Sequence, residues 1–80
     1  MIVYINVIAK MLADGEVVPL RIEWEDGSFF DIDKVLDIKR RASTKGGGMG
    51  LRYKVRILGQ ERFLFLAEYK WFVEKEEKDT

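Results

Sequence analysis

Eighty residues make one small domain, and a domain of this size buries only about two-thirds of its unfolded surface. The chain has no Cys and no His, which removes disulfides, thiolate metal sites, the commonest general base and the commonest transition-metal ligand. Its 14 basic and 14 acidic residues cancel, so any charged partner must be met by an uneven local distribution rather than by bulk charge.

Residues 2–11 are rich in Ile and Val and hold no Gly or Pro, so they predict one long strand. Asn6 and Lys10 interrupt this apolar run and no positive segment precedes it. It therefore reads neither as a signal peptide nor as a membrane span, and a cytoplasmic location is expected. Ala13-Asp14-Gly15-Glu16 is a turn, because Asp and Gly tolerate positive φ. Residues 17–25 form the second strand. Val18, Leu20, Ile22 and Trp24 share its predicted inner face, and Val17, Pro19, Arg21, Glu23 and Glu25 share the other. Pro19 cannot donate to a ladder, so it marks an edge, a bulge or a strand entry.

Asp26-Gly27 is a tight hairpin turn that leads into a strand over residues 28–32. A short turn then precedes a strand over 35–42. Residues 43–50 contain four glycines in five positions and predict a mobile loop, since glycine loses the most entropy on ordering. Residues 51–58 are a strand with Arg52, Lys54 and Arg56 on one side and Tyr53, Val55 and Ile57 on the other. Gly59-Gln60 reads as the next turn, and residues 62–67 and 71–74 as the last strands. Six or seven short strands with frequent turns argue for an all-β fold. At this length the sheet is expected to curl into a small SH3-like barrel or a strongly bent antiparallel meander, which limits free edges. Residues 1–75 form the single domain, and 76–80 a charged tail expected to fray.

The charge is unevenly spread. Residues 1–33 carry two basic and seven acidic side chains, a net of −5. Residues 34–62 carry nine basic and two acidic, a net of +7, and residues 63–80 come to −2. Opposite charges paired across strands would account for this pattern without any partner. A basic face for nucleic acid would account for it as well.

Catalytic chemistry is hard to build from these residues, and no enzyme, cofactor or resident metal is expected. Asp31 and Asp33 lie two apart on a strand and could share a divalent cation, but such pairs are commonly a solvated face. Ser43 and Thr44 have no His to activate them. Lys45-Gly46-Gly47-Gly48-Met49-Gly50 is glycine-rich like a phosphate-cradling loop. It opens a strand, however, and offers no helix N-terminus to a phosphate.

The basic residues make the stronger candidate site. Arg52, Lys54 and Arg56 repeat every roughly 6.5 to 7 Å along one strand face. That is close to the roughly 7 Å or less between phosphates of a strand that rises about 3.4 Å per step in a duplex. Lys39, Arg40, Arg41 and Lys45 flank the same loop. A nucleic-acid backbone, DNA or RNA, is the expected partner. Tyr53 or Tyr69 is a candidate for stacking on a base, although alternation with Val55 and Ile57 places Tyr53 in the core. The alternative is a protein-interaction adaptor or homodimer. Residues 2–9 and 63–67 are apolar on both faces, and an exposed apolar patch marks an interaction site.

Ile22-Glu23-Trp24-Glu25-Asp26-Gly27, Ile32-Asp33-Lys34-Val35-Leu36-Asp37, Gly48-Met49-Gly50-Leu51-Arg52-Tyr53 and Trp71-Phe72-Val73-Glu74 carry a resemblance. Through them the chain resembles small uncharacterised bacterial all-β proteins of this length. Some of those look like companions encoded near error-prone DNA polymerases. The resemblance implies DNA-linked work and transfers no residue role.

Overall fold

A computed structural model describes residues 1–42 and 49–75, apart from the side chains of Arg41, Ala42 and Met49. The chain there is all-β, with eight strands: β1 (Ile2–Tyr4), β2 (Asn6–Met11), β3 (Val17–Glu23), β4 (Phe29–Asp31), β5 (Lys34–Ala42), β6 (Met49–Ile57), β7 (Gln60–Ala67) and β8 (Lys70–Glu74). Most of the glycine-rich loop and the charged tail lie outside the described residues. Among the described residues no helix is long and apolar enough to cross a membrane.

The strands form two antiparallel sheets, one of five strands in the order β1-β8-β7-β6-β5 and one of three in the order β2-β3-β4. Two lengths of chain bend from one sheet into the other. The expected single strand over 2–11 breaks at Ile5, which is buried at the corner and donates its N–H to the Trp71 carbonyl at 3.1 Å. This break is why eight strands appear instead of six or seven. The second corner lies between β4 and β5. Ile32 donates to the Leu20 carbonyl in the three-stranded sheet at 2.9 Å, and Asp33 donates to the Arg56 carbonyl in the five-stranded sheet at 2.8 Å. The two bends give a barrel-like enclosure.

Both Asp-Gly segments make the same three-residue turn. Leu12 and Trp24 donate to the carbonyls of Glu16 and Ser28, each at 2.7 Å. Gly15 and Gly27 take φ of +91° and +87°, and the carboxylates of Asp14 and Asp26 accept from the N–H two residues on. The Ser28 hydrogen bonds hold the Asp26 carboxyl below its usual pKa. The hairpin between β6 and β7 turns at Leu58-Gly59, one residue earlier than the sequence predicts, and pairs Ile57 with Gln60. Both turn residues have positive φ, which matches the twist of the strands and pins the register.

The inner face of β3 differs from the simple alternation. Its register against β2 shifts between Ile8 and Ala9, opposite Leu20. The extra residue flips the parity, so Pro19 and Ile22 both point inward and Leu20 is 45% exposed. Pro19 thus sits beside a bulge, where its missing N–H costs little. Trp24 keeps its alternation with Ile22 and packs against the rim of the core, with the Lys75 ammonium 5.0 Å from its ring.

The core is centred on β6. Tyr53 and Val55 are fully buried, with Ile5, Ile22, Ile57 and Leu64 around them. The Tyr53 hydroxyl donates to the Val17 carbonyl at 2.6 Å and so ties the five-stranded sheet to the three-stranded one. Gly50 marks a close approach within the five-stranded sheet. A Cβ there would lie 2.7 Å from the Leu66 carbonyl oxygen and 2.9 Å from the Ala67 Cβ. Gly50→Ala should therefore lower stability by about 1 to 3 kcal/mol, because backbone must move to relieve the overlap. Urea denaturation checks this; an unchanged midpoint would show that β7 yields freely.

Candidate functional site

Side chains directly opposite one another on paired strands share a face. The register therefore lays out the outer face of the five-stranded sheet, away from Tyr53, Val55 and Leu64. One row crosses all five strands: Lys39, Arg52, Phe65, Phe72 and Tyr4. The next holds Asp37, Lys54 and Phe63, and the one beyond holds Lys34, Arg56 and Glu61. Neighbouring strands are about 4.8 Å apart and alternate residues about 6.5 to 7 Å, so these rows form a compact grid.

The grid has a basic half and an aromatic half. On the basic half, Lys39 stands opposite Arg52 and Lys34 opposite Arg56. Like charges directly opposite each other repel. Opposite-charge pairing across the sheet is local: the Lys54 ammonium reaches Glu61 at 3.1 Å, and Lys39 reaches Asp37 on its own strand at 3.7 Å. Arg56 is exposed, and no carboxylate is within ion-pair distance of it among the described residues. On the aromatic half, Phe65 and Phe72 stack at 5.2 Å, and Tyr4 meets Phe72 edge-on at 5.9 Å. Phe72 is almost wholly covered, whereas Tyr4 is 59% and Phe63 44% exposed. The halves meet where the Arg52 guanidinium lies 4.6 Å over the Phe63 ring.

Of the residues singled out from the sequence, Lys39, Arg52, Lys54 and Arg56 come together on this face. Arg40 does not: it stands opposite Leu51, on the side that turns to the core, and is exposed there. Arg41 stands opposite Gly50 in register, and its side chain, like Lys45, lies outside the described residues. Tyr53 is buried and cannot stack on a ligand. Tyr69 is fully exposed in the β7–β8 turn, at a φ of 64°. Sequence reasoning missed Lys34, Tyr4 and Phe63. The signal that could have found the two rings was the double-sided apolar character of residues 2–9 and 63–67.

Asp31 and Asp33 fall on either side of the second corner, and Arg21 holds Asp31 at 2.7 Å. Among the described residues no three acidic groups cluster to hold a metal ion. A cleft of about 670 Å³ opens where β7 and β8 part beyond the Phe65–Phe72 pair. Ile22, Trp24, Phe30, Leu64 and Val73 line it. No protein-family model, curated protein or solved structure matches this chain, so its functional reading rests on this geometry.

Proposed function

We propose that this protein is a non-catalytic binding module that associates with nucleic acid through the outer face of its five-stranded sheet. The carrying observation is the pair of like-charged cross-strand positions, Lys39 opposite Arg52 and Lys34 opposite Arg56. Each brings two cations side by side, a repulsion that Asp37 beside Lys39 and Glu61 opposite Arg56 offset only in part. A phosphate lying between the two cations would turn that repulsion into attraction and release counterions from the nucleic acid. With only three to five such contacts, binding would be micromolar or weaker at physiological salt. The reading carries with it a cytoplasmic location and, from the two bent strands, an SH3-like barrel. Fluorescence anisotropy with DNA oligonucleotides at two salt concentrations tests it. Binding that tightens as salt falls supports it, and no binding at the lower salt removes it.

A second reading is protein interaction at the cleft between β7 and β8. The pairing of those strands stops at Phe65 and Phe72, so the first part of β7 has a partner on one side only. A free strand edge beside apolar side chains is a template for an added strand. Binding that is insensitive to salt and lost on substitution in the cleft would favour it.

A further inference from the structure

We propose that the ligand of this face is a single strand of nucleic acid, with bases stacked on Tyr4 and Phe63 and phosphates on the neighbouring cations; this rests on the nucleic-acid reading above. The width of the face favours a single strand. Five strands at a spacing of about 4.8 Å span roughly 19 Å. The major groove of a duplex is about 12 Å wide and admits a helix or a two-stranded ribbon. The face therefore cannot enter a duplex and would touch only its phosphate ridges.

The composition of the face favours a single strand as well. Most cations of the face stand on β5 and β6; β1, β8 and β7 present aromatic rings, with Lys70 beside Tyr4 and Glu61 opposite Arg56. Duplex phosphates pressed against those rings would lose hydration and gain little in return. An unpaired strand offers both of the chemistries this face could use, a charged backbone and exposed π-faces.

The rings divide by exposure. Phe72 is 2% exposed and packs against Phe65, so the two act as a floor. Tyr4, edge-on against Phe72, and Phe63 are far more exposed. They are two strand spacings apart across the sheet and one alternate residue apart along it, or about 12 Å. That distance is three to four steps of about 3.4 Å in a stacked strand, and fewer once the bases separate. Each exposed ring also has a cation against it, Arg52 at Phe63 and Lys70 at 5.6 Å from Tyr4. A bound strand would draw each cation to a phosphate and leave the ring face to a base.

The test is anisotropy with a labelled thymidine strand of about 12 nucleotides, within the 4–16 range of such sites, and a duplex of equal length at the same low salt. The single strand should bind about tenfold tighter or more. Phe63→Leu keeps an apolar side chain and removes the π-face; it should weaken single-strand binding about tenfold and leave the duplex value unchanged. Phe63→Tyr should bind as the wild type does. Tyr4→Leu, which preserves packing on Phe72, should behave as Phe63→Leu does. Equal affinity for the two ligands, or full single-strand affinity in Phe63→Leu, would overturn the stacking while salt-dependent binding left the backbone reading standing. Absence of binding to either ligand at low salt would overturn both.

Discussion

Replacing Arg52, Lys54 and Arg56 together by Gln should flatten the salt dependence of nucleic-acid binding by about two to three units of log–log slope. Each phosphate contact contributes about −0.7 to −0.9 to that slope, and the triple variant removes three cations from one strand face. The three are not equivalent. Lys54 is already neutralised by Glu61 at 3.1 Å, so Lys54→Gln should change the slope least. Arg56 faces Lys34 across the ladder, and Arg56→Gln should change it more. Stability should move little. The Lys54–Glu61 bridge is half-exposed and worth under about 1 kcal/mol, and the cation over Phe63 is worth about the same. Loss of both is offset by relief of the repulsion with Lys34 and Lys39. A triple variant with the wild-type slope would show that phosphates are met elsewhere.

Tyr53→Ala should cost about 3 to 5 kcal/mol, the largest loss expected from a single substitution. Tyr53 is fully buried at the centre of β6, and a small domain has only about 5 to 15 kcal/mol in total. Tyr53→Phe isolates the hydroxyl. It leaves the Val17 carbonyl without its donor and should cost about 1 to 3 kcal/mol. The same residue sets an alkaline limit. Burial, then the Glu16 charge, raises the Tyr53 pKa above its usual 10.0. The folded state thus holds the phenol proton more tightly than the unfolded state does. The resulting stability is fully present below the unfolded value and is lost as pH rises through the folded one. Wild type should therefore lose stability as pH rises above about 10. Tyr53→Phe should lose less over the same window in guanidinium titrations. Identical losses would show that the phenol does not carry the effect.

Leu20 illustrates what local sequence reasoning could and could not see. The alternation of this strand was legible, but the bulge that turns Leu20 outward was not, because a bulge is a property of two strands at once. Pro19 was the one local sign of it. The all-β class followed from turn residues and β-branched runs, which act over short distances. The break at Ile5 did not. A strand apolar on both faces gives no parity from which to tell where it leaves one sheet for another. At the candidate site, the face of Arg52, Lys54 and Arg56 was legible because their strand alternates cleanly with core residues. The joining of that face to Tyr4 and Phe63 depends on β8 and β7 lying between β1 and β6. Those residues are far apart in the chain, and only sheet order brings them together.

Backbone and side-chain chemical-shift mapping with a single-stranded oligonucleotide locates the binding face residue by residue. Shifts should be confined to the outer face of the five-stranded sheet: Tyr4, Lys39, Arg52, Lys54, Arg56 and Phe63. Shifts centred instead on Ile8, Arg21 and Phe29, on the outer face of the three-stranded sheet, or on Trp24 and Val73 in the cleft would contradict that placement.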